Sequence, residues 1–363
     1  MCRNWKIHVV FFCNAGVTTM ANQLDENLNL YRISCPIGLI LVIFEARPEV
    51  VVQISCLCLK SGNSVILKGG KDASRSNIAL FDAIQAGIAA TSGTSILPGC
   101  VQLVSSRDQV SDLLSCNNEI DLVIPRGSNA LVQHIKQSTT IPVLGHADGI
   151  CSIFVNKDAD CSKALRVIVD SKTNYPAACN AVEKLLVDRS IDPSTFLDII
   201  AMLVQKNVTM FLCPSSFSQA TAKFPSQAGK LLVQAQPSDF TTEFSDMKIA
   251  IKFIANVEDA VSEINNLGSH HTDCILTENA QTAELFMQQV DSAGVYWNAS
   301  TRFADGFRYG FGAEIGVSTN KTHARGPVGL EGLTIYKYRL IGDGHIVAEY
   351  NDGTRNYNRK SLV

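Results

Sequence analysis

The sequence predicts an α/β protein in which two domains are built on parallel β-sheets. Short apolar runs that are typical of buried strands alternate with longer segments whose apolar residues recur at helical spacing. Such alternation indicates parallel strands with helices on both faces of the sheet. It occurs in two blocks, and 363 residues exceed what one ordinary core needs, so we expect two domains.

The first block contains four apolar strands that alternate with helices. Pro36 and Pro48 bound the first apolar run, and the Ser-Gly-Asn sequence at residues 61–63 is typical of a helix end. The predicted strands are residues 36–45, 64–70, 100–106 and 121–125, and the predicted helices are residues 49–63, 74–91, 109–116 and 130–137.

The pattern repeats later in the chain, with strands predicted within residues 141–155 and a helix at 161–174. The second block follows, with strands predicted at 181–188, 247–255, 273–278 and 294–300 and helices at 193–207, 257–268 and 279–290.

A small antiparallel element is predicted outside these blocks. Residues 334–350 suit two strands joined around Gly342 and Gly344, which predicts a hairpin, and residues 28–34 suit a further strand. Exposed hairpins commonly add to the sheet edge of another subunit, so we expect a homo-oligomer. The last residues, 351–363, are expected to form a loose tail.

Composition describes a globular protein without a charged binding surface. The chain is 46% hydrophobic and 18% charged, with a formal net charge of -3, which gives no electrostatic case for binding nucleic acid or an anionic membrane. Its twelve cysteines lack the C-x-x-C spacing of zinc ribbons. A chain of this length does not depend on disulfides, so a reduced cytoplasmic setting is favoured and no metal site is expected.

Three polar clusters interrupt the predicted elements and could carry chemistry. Lys68–Lys71 follows a strand directly, and its two glycines would let the backbone approach a ligand, although an ordinary solvated turn would have the same sequence. Residues 125–129 join a strand to a helix, and helix N-terminal amides attract phosphate. Cys179 lies among small residues just before a strand, which predicts an accessible thiol whose reactivity the pattern alone leaves open.

Motifs distributed along the chain resemble gamma-glutamyl phosphate reductase, a family of the aldehyde dehydrogenase superfamily. They are PIGLILVIFEARPEVVV, LCLKSGNSVILKGGKDASRSN, IDLVIPRGSNALV, TIPVLGHADGIC, YPAACNAVEKLLV, GSHHTDCILTENAQTAELF, VDSAGVYWNASTRFADGFRYGFGAEIGVST and HARGPVGLEGLTIYKYRL. YPAACNA and HARGPVGLEGL are most similar to the reductase half of the eukaryotic bifunctional pyrroline-5-carboxylate synthase. The resemblance runs from about residue 29 to residue 350.

The resemblance implies an aldehyde dehydrogenase-like fold with a cofactor domain, a catalytic domain and an oligomerisation hairpin. The expected division is an unmatched segment at residues 1–28, an NADPH-binding domain without its N-terminal helices at 29–169, a catalytic domain at 170–332, a hairpin at 333–350 with strand 28–34, and a tail at 351–363.

The resemblance also implies an acyl-thioester mechanism in proline biosynthesis. Cys179 matches the nucleophile of the superfamily, which would attack the acyl phosphate of L-glutamyl 5-phosphate and release phosphate. Hydride from NADPH would then give glutamate 5-semialdehyde. Because the acyl phosphate is unstable in water, a glutamate 5-kinase would have to supply it.

Two positions depart from oxidative aldehyde dehydrogenases. His146 replaces the glutamate that activates water, which suits reduction because hydrolysis would waste the thioester. Ala46 replaces the oxyanion-binding asparagine, so another donor is needed, and Arg47 is a candidate for holding a phosphate or carboxylate. The substrate-binding residues that the resemblance implies are Arg47, His146, Asn180, Asn298, Ser300, Thr301 and Arg325.

Cofactor residues carry over from the same motifs. Lys68 matches the lysine that contacts the adenosine ribose, and Gly127 with Ser128 matches the loop that meets the pyrophosphate. Lys71 stands where relatives that prefer NAD often carry a glutamate, and a cation there favours the 2′-phosphate of NADPH. Glu243 approximately matches the glutamate that binds the nicotinamide ribose.

Two alternatives remain open. An oxidative aldehyde dehydrogenase would share the fold, but His146 argues against it. A truncated, non-catalytic homologue is favoured by the unmatched N-terminal segment, whereas Cys179, Lys68 and Gly127 argue against it.

Overall fold

The protein is described by a computed structural model over residues 15–45, 47–91, 99–105, 108–145 and 148–362. This part of the chain forms two compact units, and both contain parallel sheets with helices, which confirms the predicted α/β class. The first unit holds the described residues up to Leu144 together with residues 313–315 and 328–362, and the second unit holds Gly145–Gly312 and Gly316–Pro327. No helix among the described residues is long and apolar enough to cross a membrane.

The first unit begins with two antiparallel strands and continues into a parallel sheet. Its strands are β1 (Thr18–Asp25), β2 (Leu28–Pro36), β3 (Leu39–Phe44), β4 (Ser64–Lys68), β5 (Val101–Val104) and β6 (Leu122–Arg126), and its helices are α1 (Glu49–Ser61), α2 (Ser74–Ala90), α3 (Asp108–Ser115) and α4 (Asn129–Ser138). Helix α1 ends at Ser61, as the Ser-Gly-Asn sequence at residues 61–63 predicted. The next residue, Gly62, adopts a φ of 80°, which favours glycine.

The order of strands in this parallel sheet is β5-β4-β3-β6. The chain runs outward from β3 to β5 and then returns to the other side of β3 with β6, so the order reverses between β3 and β6. In open α/β sheets, ligands bind beyond the carboxyl ends of the strands at such a reversal. The fold therefore places a candidate ligand site at the ends of β3 and β6.

The second unit is built on a seven-stranded parallel sheet. Its strands are β7 (Cys151–Val155), β8 (Val182–Asp188), β9 (Thr209–Leu212), β10 (Leu232–Gln234), β11 (Lys248–Ile254), β12 (Thr272–Leu276) and β13 (Gly294–Trp297), in the order β10-β9-β11-β8-β7-β12-β13. A separate pair consists of β14 (Gly316–Ser318) and β15 (Gly326–Val328), and the last residue of β15 belongs to the first unit. Its helices are α5 (Cys161–Thr173), α6 (Pro193–Gln205), α7 (Pro214–Lys223), α8 (Val257–Leu267) and α9 (Ala280–Gln289). All seven residues of β8 are buried, and other strands pair with both of its edges.

The division between the units differs from the predicted domain boundary at residues 169–170. The units divide at residues 144–145, because β7 pairs with β8 and β12 and therefore belongs to the same sheet as the strand that follows Cys179. Strand β1 lies within the segment predicted to be unmatched, and it pairs with β2.

An antiparallel sheet of β1, β2, β16 (Thr334–Ile341) and β17 (Lys360–Ser361), in the order β16-β2-β1-β17, completes the first unit, and it corrects the predicted hairpin. Strand β16 (Thr334–Ile341) pairs with β2 over eight residues, whereas the second predicted strand forms a short helix, α10 (Val347–Asn351). The second strand of the hairpin was predicted wrongly, because β16 pairs with a segment far away in sequence. The strand predicted at residues 28–34 is present as β2, and it is the partner of β16. The tail is also partly ordered, since β17 (Lys360–Ser361) pairs with β1.

Candidate active site

Cys179 lies in a tight loop between the end of α5 and the start of β8, and it is half-buried. The Ala178 amide donates to the Tyr175 carbonyl at 3.1 Å, and the Ala181 amide donates to the Ala178 carbonyl at 2.9 Å. Two successive turns therefore enclose the cysteine. Tyr175 adopts a φ of 61°, which is uncommon for a bulky residue and is often found where a functional loop is held by its surroundings.

The backbone before β7 packs directly against this loop. A Cβ built on Gly149 would lie 2.2 Å from the Cys179 carbonyl oxygen and 2.7 Å from its Cα, so only glycine fits without a shift of the backbone. At the start of β7, the Cys151 thiol donates to the Cys179 carbonyl at 3.3 Å. Sequence reasoning overlooked Gly149, although a glycine directly before a buried strand is a signal of close backbone approach.

A second loop, which follows β13, forms hydrogen bonds with Asn180, the residue next to Cys179. The Thr301 hydroxyl donates to the Asn180 carbonyl at 2.7 Å, and the Asn180 amide nitrogen donates to the Ala304 carbonyl at 2.9 Å. The Ser171 hydroxyl donates to the Ser300 hydroxyl at 3.1 Å and accepts from the Thr301 amide at 3.2 Å. Asn180, Ser300 and Thr301, which were predicted to bind substrate, are thus brought together beside Cys179, and their hydrogen bonds join the two loops.

Asn298 lies at the start of this second loop with a φ of 51°. Its side-chain oxygen accepts from the Thr277 amide at 3.1 Å, and its side-chain nitrogen donates to the Thr277 carbonyl at 2.9 Å. Asn298 therefore ties the end of β13 to the end of β12 and fixes where the second loop begins.

Arg302 is a buried cation in the same loop that sequence reasoning did not select. Only 7% of the residue is exposed, and its Nε has no hydrogen-bond partner. Its guanidinium carbon lies 5.9 Å from the centre of the Tyr175 ring. Burial lowers the pKa of Arg302 and the neighbouring Arg308 lowers it further, whereas Cys179 acts in the opposite direction.

A buried ion pair links the two ends of the cysteine loop. The Lys172 Nζ lies 2.7 Å from the Glu183 Oε2, and the two side chains are 0% and 1% exposed. Burial raises the pKa of Glu183 to about 7 against the opposing effect of Lys172, and burial lowers the pKa of Lys172. The other carboxylate oxygen of Glu183 accepts from the Ser245 amide at 3.1 Å, so the pair also holds the segment next to Glu243.

The predicted cofactor residues of the first unit lie at the carboxyl end of its parallel sheet. Lys68 is the last residue of β4 and is buried, whereas Lys71 is exposed in the turn that follows. A Cβ on the intervening Gly69 would come within 2.1 Å of the Asn77 side-chain nitrogen, so this glycine is needed for local packing.

Gly127 and Ser128 lie where the strand order reverses, at the start of α4. Ser128 is the N-cap of α4, and its backbone amide donates to the Glu45 carboxylate at 2.8 Å. A Cβ on Gly127 would lie 2.5 Å from the same carboxylate oxygen. The Glu45 carboxylate therefore occupies this helix N-terminus, where an anionic oxygen is favourable. The phosphate-binding role of Gly127 and Ser128 stays a prediction.

Two predicted anion-binding arginines have different surroundings. Arg325 is held by Asp291, because its Nη1 lies 3.0 Å from the Asp291 carboxylate and its Nη2 donates to the Asp291 carbonyl at 3.0 Å. Arg47 is exposed just before α1. His146 and Ala46, the two predicted departures, lie outside the described residues.

Comparison with known proteins gives consistent matches over most of the chain. The model of the aldehyde dehydrogenase family matches residues 11–210, and it therefore begins inside the segment that the sequence analysis left unmatched. A probable gamma-glutamyl phosphate reductase of Schizosaccharomyces pombe is 50% identical over 339 residues, which are 93% of this chain and 74% of that protein. The gamma-glutamyl phosphate reductase of Acetivibrio thermocellus is 47% identical over 347 residues, which are 96% of this chain and 78% of that protein.

A solved structure agrees with these matches. The crystal structure of gamma-glutamyl phosphate reductase from Thermotoga maritima superposes with a TM-score of 0.85 at 39% identity, covering 92% of this chain and 78% of that chain. An acetylating aldehyde dehydrogenase from Geobacillus thermoglucosidasius, with 17% identity and a TM-score of 0.65, shares the fold.

Proposed function

Because this chain belongs to the aldehyde dehydrogenase family and, within it, to the gamma-glutamyl phosphate reductases, we propose that Cys179 is the nucleophile of an acyl-phosphate reductase. The reaction is the reduction of L-glutamyl 5-phosphate to glutamate 5-semialdehyde with release of phosphate, in proline biosynthesis.

The observation that carries this proposal is the fixed position of the Cys179 backbone. Gly149 packs against one side of it, and the bond from Thr301 to the Asn180 carbonyl holds the next residue. A nucleophile held in this way does not have to be ordered when substrate binds, which lowers the entropic cost of attack.

The thiolate of Cys179 attacks the acyl carbon, the new carbon–sulfur bond forms, and the carbon–oxygen bond to phosphate breaks with its electron pair leaving on phosphate. The hydride that reduces the thioester carbonyl would come from a nicotinamide cofactor, when it is bound. The Cys179 backbone amide is the proposed donor to the oxyanion. Cleavage of the carbon–sulfur bond then releases the aldehyde and restores the thiolate.

We assign the cofactor to the carboxyl end of the parallel sheet in the first unit, and we propose that it is NADPH. Lys68, Gly127 and Ser128 would bind its adenosine ribose and pyrophosphate. The exposed ammonium of Lys71 suits a 2′-phosphate and would not accept hydrogen bonds from ribose hydroxyls. Glu243 is proposed for the nicotinamide ribose.

We also propose a setting for the enzyme. A glutamate 5-kinase supplies the unstable acyl phosphate in the cytoplasm. A homo-oligomer forms through the antiparallel sheet, since Tyr336, Tyr338 and Leu340 alternate on β16 and are exposed.

The reverse reaction tests this function. Purified protein is given pyrroline-5-carboxylate, inorganic phosphate and NADP⁺ or NAD⁺, and formation of the reduced cofactor is followed. We expect phosphate-dependent formation of NADPH that Cys179→Ala abolishes.

Cys213→Ala is the matched control. Cys213 is also half-buried in the second unit. Burial raises the pKa of its thiol, but hydrogen bonds from Ser215 and Ser216 outweigh this effect and lower the pKa overall. NADPH formation that is independent of phosphate would favour an oxidative aldehyde dehydrogenase. A folded chain that binds neither NADP⁺ nor NAD⁺ would favour the non-catalytic homologue.

A further inference from the structure

Arg302 is a buried cation that lacks a close counter-charge. No carboxylate among the described residues lies within 4.0 Å of its guanidinium, and its Nε has no hydrogen-bond partner. Asp305, which lies three residues further on, is engaged by Arg308 at 3.3 Å. Burying a charge without a close partner is unfavourable, so binding of an added anion at Arg302 would be stabilising.

The guanidinium is directed toward the cysteine loop. Its carbon lies 5.9 Å from the centre of the Tyr175 ring, and Tyr175 is part of the turn that encloses Cys179. Burial and the neighbouring Arg308 lower the pKa of Arg302, whereas Cys179, Asp305 and Asp170 raise it. The cation is therefore within electrostatic reach of the thiol.

Hydrogen bonds keep Arg302 at this place. Its backbone amide donates to the Ser300 hydroxyl at 3.3 Å, and the preceding Thr301 binds the Asn180 carbonyl. The bonds that fix the cysteine loop thus also fix the arginine relative to Cys179.

We propose that Arg302 binds the phosphoryl group of the substrate while Cys179 attacks the adjacent acyl carbon. This assignment rests on the proposed function and adds a subsite to it. The planar fork of arginine matches phosphate oxygens. When the carbon–oxygen bond breaks, the electron pair moves onto the departing phosphate, and Arg302 stabilises the charge that develops there. The phosphoryl group is joined through one oxygen to the carbon that reacts, whereas the α-carboxylate is at the far end of the carbon chain, so a cation within reach of the thiol suits the phosphoryl group.

The reverse reaction separates the two anions of the substrate, because phosphate and semialdehyde are added independently. Arg302→Gln should raise the KM for inorganic phosphate by about tenfold or more, the size expected for a charge-assisted hydrogen bond. The KM for the semialdehyde should change by less than about twofold. Arg302→Lys, which keeps the charge and loses the fork, should fall between Arg302→Gln and the wild type. Arg308→Gln is the matched control in the same loop and should leave the KM for phosphate within about twofold of the wild type.

A second measurement does not depend on turnover. Inorganic phosphate should slow the alkylation of Cys179 by iodoacetamide in the wild type, measured by mass spectrometry of the Cys179 peptide, and this protection should disappear in Arg302→Gln and weaken in Arg302→Lys. If a glutamine variant did not fold, the lysine variant would still give both readings.

Two results would overturn the subsite. One is a rise in the KM for semialdehyde with an unchanged KM for phosphate, which would assign Arg302 to the carboxylate. The other is slower alkylation of Cys179 in Arg302→Gln with phosphate protection intact, which would limit Arg302 to an effect on the thiol. A wild-type chain that forms no NADPH but is protected by phosphate would contradict the proposed function and leave the anion site supported.

Discussion

Gly149→Ala is the most direct perturbation of the candidate active site, because it adds one methyl group against the backbone of Cys179. The new Cβ would lie 2.2 Å from the Cys179 carbonyl oxygen, whereas ordinary contact begins at 3.4 Å, so the atoms must separate by 3.4 − 2.2 = 1.2 Å. The other two nearest atoms, the Cα and carbonyl carbon of Cys179, also belong to the backbone, so rotation of a side chain cannot relieve the clash.

A displacement of this size is expected to affect the rate more than stability. Overpacking in a buried site costs about 1–3 kcal/mol, which a folded domain can tolerate. Misplacing a nucleophile by about 1 Å can lower the rate by about a hundredfold. We therefore expect Gly149→Ala to fold, to lose up to about 3 kcal/mol of unfolding free energy, and to retain about 1% of the wild-type kcat in the reverse reaction.

The assay measures kcat for phosphate-dependent NADPH formation together with the thermal unfolding of each variant by circular dichroism. Gly87→Ala is the control, because Gly87 lies inside α2 and a Cβ there meets no atom within 4 Å. It should leave kcat unchanged and raise unfolding free energy slightly, by about 0.5–1 kcal/mol. If Gly149→Ala kept more than about a third of the wild-type kcat, the packing of Gly149 against Cys179 would not position the nucleophile, contrary to the magnitude expected from geometry.

Three further predictions concern other parts of the two units. Thr301→Val should lower unfolding free energy by about 1–3 kcal/mol and reduce kcat, because it leaves the buried Asn180 carbonyl without its donor. Thr301→Ser keeps the hydroxyl and should retain the wild-type stability and kcat. Equal effects of the two variants would contradict the role of the Thr301 hydroxyl. Burial raises the pKa of Glu183 to about 7 from a usual 4.5, so its contribution to stability is present below pH 4.5 and is lost as the pH rises through 7. Unfolding free energy measured by urea titration should therefore fall over this interval by at most about 1.4 kcal/mol per pH unit relative to Glu183→Gln, and parallel curves would refute the raised pKa. Tyr338→Glu should shift the protein toward a smaller species in size-exclusion chromatography with light scattering, because it places a charge on the exposed face of β16, and an unchanged mass would exclude that face as the interface.

The layout of the molecule could be predicted from the amino-acid sequence, because the signals involved are local. Apolar runs of strand length and helical periodicity depend only on neighbouring residues, and they predicted β3, β4 and β6 as well as α1 and its end at Gly62. The cysteine loop could be recognised for the same reason, since Tyr175–Ala181 is one continuous motif. The short strands β9 and β10 were not predicted, because they offer only four and three residues of pattern.

The contacts between distant segments are seen in the folded structure and could not be predicted from the sequence. Gly149 and Cys179 are brought together by the pairing of β7 with β8, and Thr301 reaches Asn180 from a strand end more than a hundred residues away. The same reason explains the hairpin that was predicted wrongly, since β16 pairs with β2 instead of the residues that follow it. The register of paired strands, the hydrogen bonds between the two loops and the burial of Arg302 each depend on two segments that are distant in sequence. Local sequence patterns therefore do not predict them.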